Sequence, residues 1–268
     1  MNIHEYIALD PNEKPLDRIV EDGGMCAIFR NIACIGDSLS SGEFEALDNN
    51  GNRSYHDLFE YSWGQFIARD CGSRVYNFSR GGMTAKEYWN SFAADNGFWD
   101  EDKLCEAYIL ALGVNDLFGL KMEVGSVEDI CDEDPEKNAE TFAGFYARII
   151  QRIKSMQPHA RFFLMTMPRE WTQQDEAKTS HRQLLHDLAE KYDHTFVIDL
   201  YEYAPKYDEE FKRRYNLYGH MNPMGYRLTA KMVESYIDYI VRHTPEEFYQ
   251  VGFIGKPQYD ERLDKKGE

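Results

Sequence analysis

The chain is poor in positive charge. Its 268 residues carry 30 Lys and Arg against 47 Asp and Glu, a formal net charge of 30 − 47 = −17 at neutral pH. A surface of that sign repels phosphate backbones and anionic headgroups, so nucleic acid and membrane rank low as partners. Cysteine is scarce: Cys26, Cys34, Cys71, Cys105 and Cys131 are odd in number, well separated, and form no C-x-x-C pair. That pattern argues against a disulfide framework and a structural zinc site, and leaves reduced, mostly buried thiols as the expectation. No other metal-ligand spacing occurs, so neither metal nor cofactor is expected. Long apolar runs are missing too: none approaches the ~20 residues of a bilayer-spanning helix. The start, Met1-Asn2-Ile3-His4-Glu5-Tyr6, lacks the basic and apolar segments of a signal peptide. A cytoplasmic location is expected from that. There is no internal repeat, low-complexity tract or clear linker.

What remains is enough to build a core. Hydrophobic residues make up 43% of the chain, sufficient for one domain with added segments. Five short apolar runs read as strands: Asn31–Gly36, Arg74–Phe78, Ala107–Leu112, Arg161–Met167 and Thr195–Leu200. Runs without alternation suit strands covered on both faces, as in a parallel sheet. Helical stripes fall between and after them. Phe142, Phe145, Tyr146, Ile149, Ile150 and Ile153 form one; Leu184, Leu185, Leu188 and Tyr192 another; Met232, Val233, Tyr236, Ile237, Ile240 and Val241 the last. This order predicts an α/β domain, a three-layer α/β/α sandwich with a mainly parallel five-stranded sheet. The expected division is an arm over residues 1–30, the main domain over 31–242 and an extension over 243–268. Trp63, Trp89, Trp99 and Trp171 are expected to pack, and the last residues to fray.

In open α/β sheets, ligands bind beyond the carboxyl ends of the strands. Gly36-Asp37-Ser38-Leu39 follows the first strand, Ser79-Arg80-Gly81-Gly82-Met83-Thr84 the second, and Gly113-Val114-Asn115-Asp116 the third. Tyr218-Gly219-His220-Met221-Asn222-Pro223 lies beyond the fifth. These loops offer a hydroxyl, a flexible backbone donor, a side-chain amide and an imidazole. Singly, each has an ordinary structural reading: a turn, relief of backbone strain, a cap, a solvated ring. Together, in this order and at strand ends, they suit acyl transfer.

With these residues the chain resembles the SGNH/GDSL hydrolases over roughly residues 31 to 241. Gly-Asp-Ser-Leu and Gly-x-Asn-Asp are present unaltered. In the second block Asn77, Gly82 and Thr84 match, with Ser79 and Gly81 standing where the family often has Gly and Ser. The resemblance implies a flavodoxin-like strand order and a serine esterase. Ser38 would be the nucleophile and His220 the general base. The Ser38 amide, the Gly82 amide and the Asn115 side chain would form the oxyanion hole. Met83 and Val114, beside those donors, are candidates for an acyl-side pocket. A small ester, such as an acetylated sugar, is the expected substrate. A thioesterase or lysophospholipase, and a catalytically weak binding protein on the same fold, are the alternatives.

The chain departs from the family at the triad carboxylate. The family usually has Asp three residues before the histidine; here Leu217 stands there, and no carboxylate lies between Glu210 and His220. Three readings follow. A backbone carbonyl of residues 216–219 orients the imidazole in a Ser-His dyad; Asn216 or a distant carboxylate does so; or the site is weak. The dyad is the favoured expectation, with Nε2 near Ser38 Oγ and Nδ1 on a carbonyl or amide oxygen. Asp37 and Asp116 are expected to brace their loops, Asp199 to be structural, and His181 and His194 to be solvated.

Overall fold

A computed structural model describes residue 10, residues 12–170 and residues 175–263. Five strands form the central sheet: β1 (Asn31–Gly36), β4 (Arg74–Ser79), β5 (Ala107–Ala111), β6 (Arg161–Met165) and β7 (Thr195–Ile198). All pair in parallel, in the order β4-β1-β5-β6-β7. This is the flavodoxin-like order. The chain steps from β1 to one neighbour, then crosses back over β1 to the other, so the winding reverses at β1. A crevice opens at such a reversal, beyond the carboxyl ends of the strands.

Alternate residues of each strand face opposite layers. Ile32 and Cys34 of β1 and Ile109 of β5 pack beneath α1 (Trp63–Cys71) and α4 (Pro223–His243). Ala33 and Ile35, with Tyr108 and Leu110, pack beneath α2 (Phe142–Met156) and α3 (Asp175–Lys191). The three helical stripes expected from periodicity are the buried faces of α2, α3 and α4. Each fully buried aliphatic or aromatic side chain contributes about 1.5–3 kcal/mol of transfer free energy. The layers therefore hold by apolar area rather than by ion pairs. None of the helices in the described residues is long and apolar enough to cross a membrane.

The flanking segments are tied to this core. Arg242 on α4 pairs with Glu13 at 2.6 Å and with Asp238 at 2.7 Å, and Asp238 accepts the Met25 N–H at 2.9 Å. Beyond α4, Phe248 is buried edge-on to Phe29 and stacked on Phe196. Cys26, Cys34, Cys71 and Cys105 are free and buried. Trp63 is fully buried, Trp89 and Trp99 pack partly covered, and Trp171 and the final residues 264–268 lie outside the described residues.

Between β1 and α1 stands an element with no counterpart among the expected strands, an antiparallel hairpin of β2 (Glu43–Leu47) and β3 (Arg53–Asp57). Its turn is organised by Asp48, whose carboxylate accepts the N–H groups of Asn50 and Asn52, each at 2.8 Å. Gly51 supplies the positive φ of 81° that closes it. In β2 Phe44 faces the core, against Tyr226 and Tyr61. Glu43 and Glu45, two residues apart, therefore share the opposite face.

Candidate active site

Ser38 opens a single helical turn, Ser38–Ser41, directly after β1. Asp37 caps that turn by accepting the Leu39 N–H at 3.1 Å, and Gly42, at φ 82°, ends it by donating to the Ser38 carbonyl. Asp37 thus braces the turn, as the sequence reading expects. Asn77 of β4 donates to the Ser41 carbonyl at 3.2 Å, and Ser41 Oγ donates to Asp57 at 2.7 Å, which fixes the turn from two further sides. Ser38 remains partly exposed.

The loops after β1, β4 and β5 meet at Asn115. Its Nδ2 donates to the Met83 carbonyl at 3.1 Å and, more weakly, to Asp37 Oδ2 at 3.4 Å. The neighbouring Asp116 is fully buried and accepts the Ala85 N–H at 2.9 Å, locking the β5 loop to the β4 loop. Burial pushes the Asp37 carboxyl up to about 7 and that of Asp116 to about 6, in both cases against the opposing pull of backbone N–H groups. Gly82 is exposed at φ 73° with nothing near the position a side chain would take, so its surroundings leave room for a ligand. Val114 is exposed. Met83 is not: its side chain is fully buried in the lower core, which removes it as a pocket-lining residue. The apolar thioether packs inward because Thr84 and Ala85 begin a helix that sinks into the α2 layer.

His220 comes from a two-residue hairpin, β8 (Asn216–Leu217) and β9 (His220–Met221), turned at Tyr218-Gly219 with Tyr218 at φ 57°. It lies against the Ser38 turn and β2. Behind it Asn222 caps α4 by accepting the Gly225 N–H at 2.9 Å. Tyr226, one residue on, donates to the Glu43 carbonyl at 2.6 Å and reaches the Ser38 carbonyl at 3.4 Å.

The imidazole faces carboxylates on both sides, and this corrects the dyad expectation. Nδ1 lies 3.4 Å from Glu45 Oε2, which also accepts the Gly219 N–H at 2.9 Å. A carboxylate accepts only, so Glu45 favours the tautomer with the proton on Nδ1, while a second carboxylate competes for it from the other side of the ring. Glu45 is almost wholly buried, and its other oxygen is 2.9 Å from Arg53. The carboxylate that the sequence lacks before His220 therefore arrives from β2, 175 residues earlier. On the other side, Nε2 is 3.1 Å from Glu43 Oε1, and no hydrogen bond joins it to Ser38 Oγ. Burial is the main cause that holds the Glu43 carboxyl above its ordinary range, with the facing imidazole opposing it. A methyl group on Gly81 would collide with Glu43 Oε2, so glycine at 81 makes room for that carboxylate.

Sequence reasoning missed Glu43 and Glu45 because their hairpin went unread. The signal was present: Asn50-Gly51 between the alternating segment Glu43-Phe44-Glu45-Ala46 and a β-prone run is a hairpin pattern. The expectation for His181 is also corrected. It is fully buried, bonded to the Leu112 carbonyl at 3.2 Å, and packed against Gly113 just before Asn115. Burial lowers it to about 4, so it is a neutral brace beneath the β5 loop. His194 is mostly covered and paired with Glu247 at 2.8 Å rather than solvated. Asp199 caps the helical turn Leu200–Tyr203 and binds Arg182 at 2.6 Å, a structural role.

Comparison with known proteins follows the same lines. Among solved structures, a family two carbohydrate esterase from Clostridium thermocellum in complex with cellohexaose superposes with a TM-score of 0.55 at 16% identity. The match covers 85% of this chain and 66% of that one. A protein from Lactobacillus plantarum gives 0.58 at 17% identity, covering 79% and 97%. A family 3 carbohydrate esterase from Clostridium thermocellum gives 0.51 at 15%, covering 80% and 97%. At these identities the likeness establishes the fold. Among curated proteins no match was found. The sequence itself matches the GDSL-like Lipase/Acylhydrolase family over residues 34–228, from within β1 into α4, a span that contains Ser38, Gly82, Asn115 and His220. The chain belongs to that family and is a carboxylic ester hydrolase.

Proposed function

We propose that the enzyme hydrolyses small esters through an acyl intermediate on Ser38, with His220 as general base and Glu45 as the residue that orients it. The observation that carries this reading is the grip of Glu45 Oε2 on both Gly219 N and His220 Nδ1. It supplies the partner that an imidazole needs to hold one tautomer and to bear a positive charge. Ser38 Oγ attacks the ester carbon while His220 Nε2 takes its proton. The Ser38 and Gly82 amides and Asn115 Nδ2 receive the developing oxyanion. Asn115 does so by giving up its long contact to Asp37. The tetrahedral intermediate collapses as His220 returns the proton to the leaving alcohol. Water, deprotonated by the same nitrogen, then releases the acid and restores Ser38.

For this sequence of steps the ring must turn Nε2 from Glu43 to Ser38. Catalytic contacts are commonly long in a free enzyme and tighten on the substrate. The substrate class we favour is a short acyl ester, acetyl above all, on a carbohydrate or similar polyol. The carbohydrate esterases among the similar folds support that class, and with Met83 buried, Val114 is the remaining candidate for the acyl side. The test is hydrolysis of p-nitrophenyl acetate and acetylated sugars, with longer acyl esters alongside, by wild type, Ser38→Ala and His220→Ala. Activity on acetyl esters that both variants abolish is the expected result. Activity peaking on long chains or thioesters would replace the acetylesterase reading. Equal background rates in all three proteins would point to a binding protein.

A further inference from the structure

Glu43 performs no proton transfer in the steps above, yet it faces the nitrogen that performs them. Its Oε1 stands 3.1 Å from His220 Nε2, and its Oε2 lies against the backbone at Gly81, next to the Gly82 donor. Only 14% of its side chain reaches solvent. The nitrogen it faces is the one that must hand a proton to the leaving alcohol. Whatever the alcohol carries on the carbon adjacent to the ester-bearing carbon therefore comes up against this carboxylate. Arg53 is engaged with Glu45, and among the described residues no lysine or arginine pairs with Glu43. Asp57 and Glu45 add further negative charge around it.

We propose that Glu43 is the specificity-determining residue for the alcohol side. It selects esters that bear a hydrogen-bond donor, a hydroxyl or an amine, on the carbon adjacent to the ester-bearing carbon, and it rejects those that bear an anion there. The inference rests on the Ser38 and His220 reading and adds to it a chemical requirement on the leaving group. A carboxylate accepts and cannot donate. A neighbouring hydroxyl satisfies it, a methyl group leaves a poorly solvated charge unpaired, and a phosphate meets like charge. Vicinal polyols and sugars fit; phosphorylated alcohols, including lysophospholipid headgroups, do not.

The test compares kcat/KM for 2-hydroxyethyl acetate, propyl acetate and 2-acetoxyethyl phosphate in wild type, Glu43→Gln, Glu43→Leu and Ser38→Ala. Wild type should prefer the hydroxyethyl ester to the propyl ester by about ten- to a hundredfold, the scale of one hydrogen bond to a charged group. It should turn over the phosphate ester most slowly. Glu43→Leu should collapse the hydroxyl preference, and Glu43→Gln should relieve the discrimination against phosphate. Wild type that treats the three esters alike overturns the proposal, whether or not either variant folds. So does a uniform loss across all three esters in both variants, which would assign Glu43 to the state of His220 alone. If Ser38→Ala retains full activity, the underlying mechanism falls instead, and the two failures are told apart.

Discussion

At the scale of the residue, the site is a set of groups whose partners decide what each can do. Glu45 holds one nitrogen of His220 and the amide beside it, so removing its charge should cost activity far more than stability. Glu45→Gln should lower kcat by up to about 10⁴-fold, as loss of a triad carboxylate does elsewhere, while KM changes little; steady-state kinetics on an acetyl ester checks it. Asn115 joins three loops through one amide. Asn115→Ala should reduce kcat by about 10²–10³-fold, the range for one oxyanion donor. Asp37 gives a pH-dependent signature. Burial raises it from an ordinary 3.8 to about 7, so the folded state holds this proton more tightly than the unfolded chain. Its contribution to stability is therefore greatest below about pH 4 and is lost as pH rises toward 7. Asp37→Asn keeps an oxygen to cap the Ser38 turn and removes that titration. The fall in denaturation midpoint between pH 4 and pH 7 should become shallower in the variant, and an unchanged slope would count against the assignment.

At the scale of the element, the β2–β3 hairpin brings both carboxylates to the imidazole. Its alternation puts Phe44 into the core and both glutamates toward His220, so a single strand couples packing to chemistry. Phe44→Ala should destabilise the fold by about 3 kcal/mol, at the low end for a core aromatic because the ring is not completely buried. It should also depress kcat in protein that is still folded, since Glu45 is displaced with its strand. Equilibrium unfolding together with kinetics separates the two effects. The hairpin also explains what the sequence could and could not disclose. Ser38, Gly82, Asn115 and His220 were legible because each follows a recognisable strand or lies in a short motif. Glu43 and Glu45 were not: their hairpin has a local signature, but the contacts of residues 43 and 45 with residue 220 have none. Likewise Leu217, read as a missing acid, is an exposed strand residue whose place at the ring is taken from another element.

At the scale of the whole molecule, the parallel sheet and its covering helices were readable from short apolar runs and 3.6-residue stripes. Burial on both faces imposes those patterns. The strands end within a few residues of the expected limits, and β1, β4 and β5 turn directly into the loops that carry Ser38, Gly82 and Asn115. His181 was misread for the complementary reason: a polar residue on an otherwise mixed helix gives no sign that it will lie beneath Gly113. The sheet order places the winding reversal at β1, and all the groups named in the mechanism come from loops around that point or from the hairpins that cover it. The proposed mechanism has Ser38 as its one nucleophile. Intact-mass analysis after treatment with a fluorophosphonate, followed by peptide mapping, tests it most directly. A single adduct on Ser38 in wild type and none in Ser38→Ala is the expected result; an adduct on another residue, or no adduct on an enzyme that hydrolyses acetyl esters, rules the mechanism out.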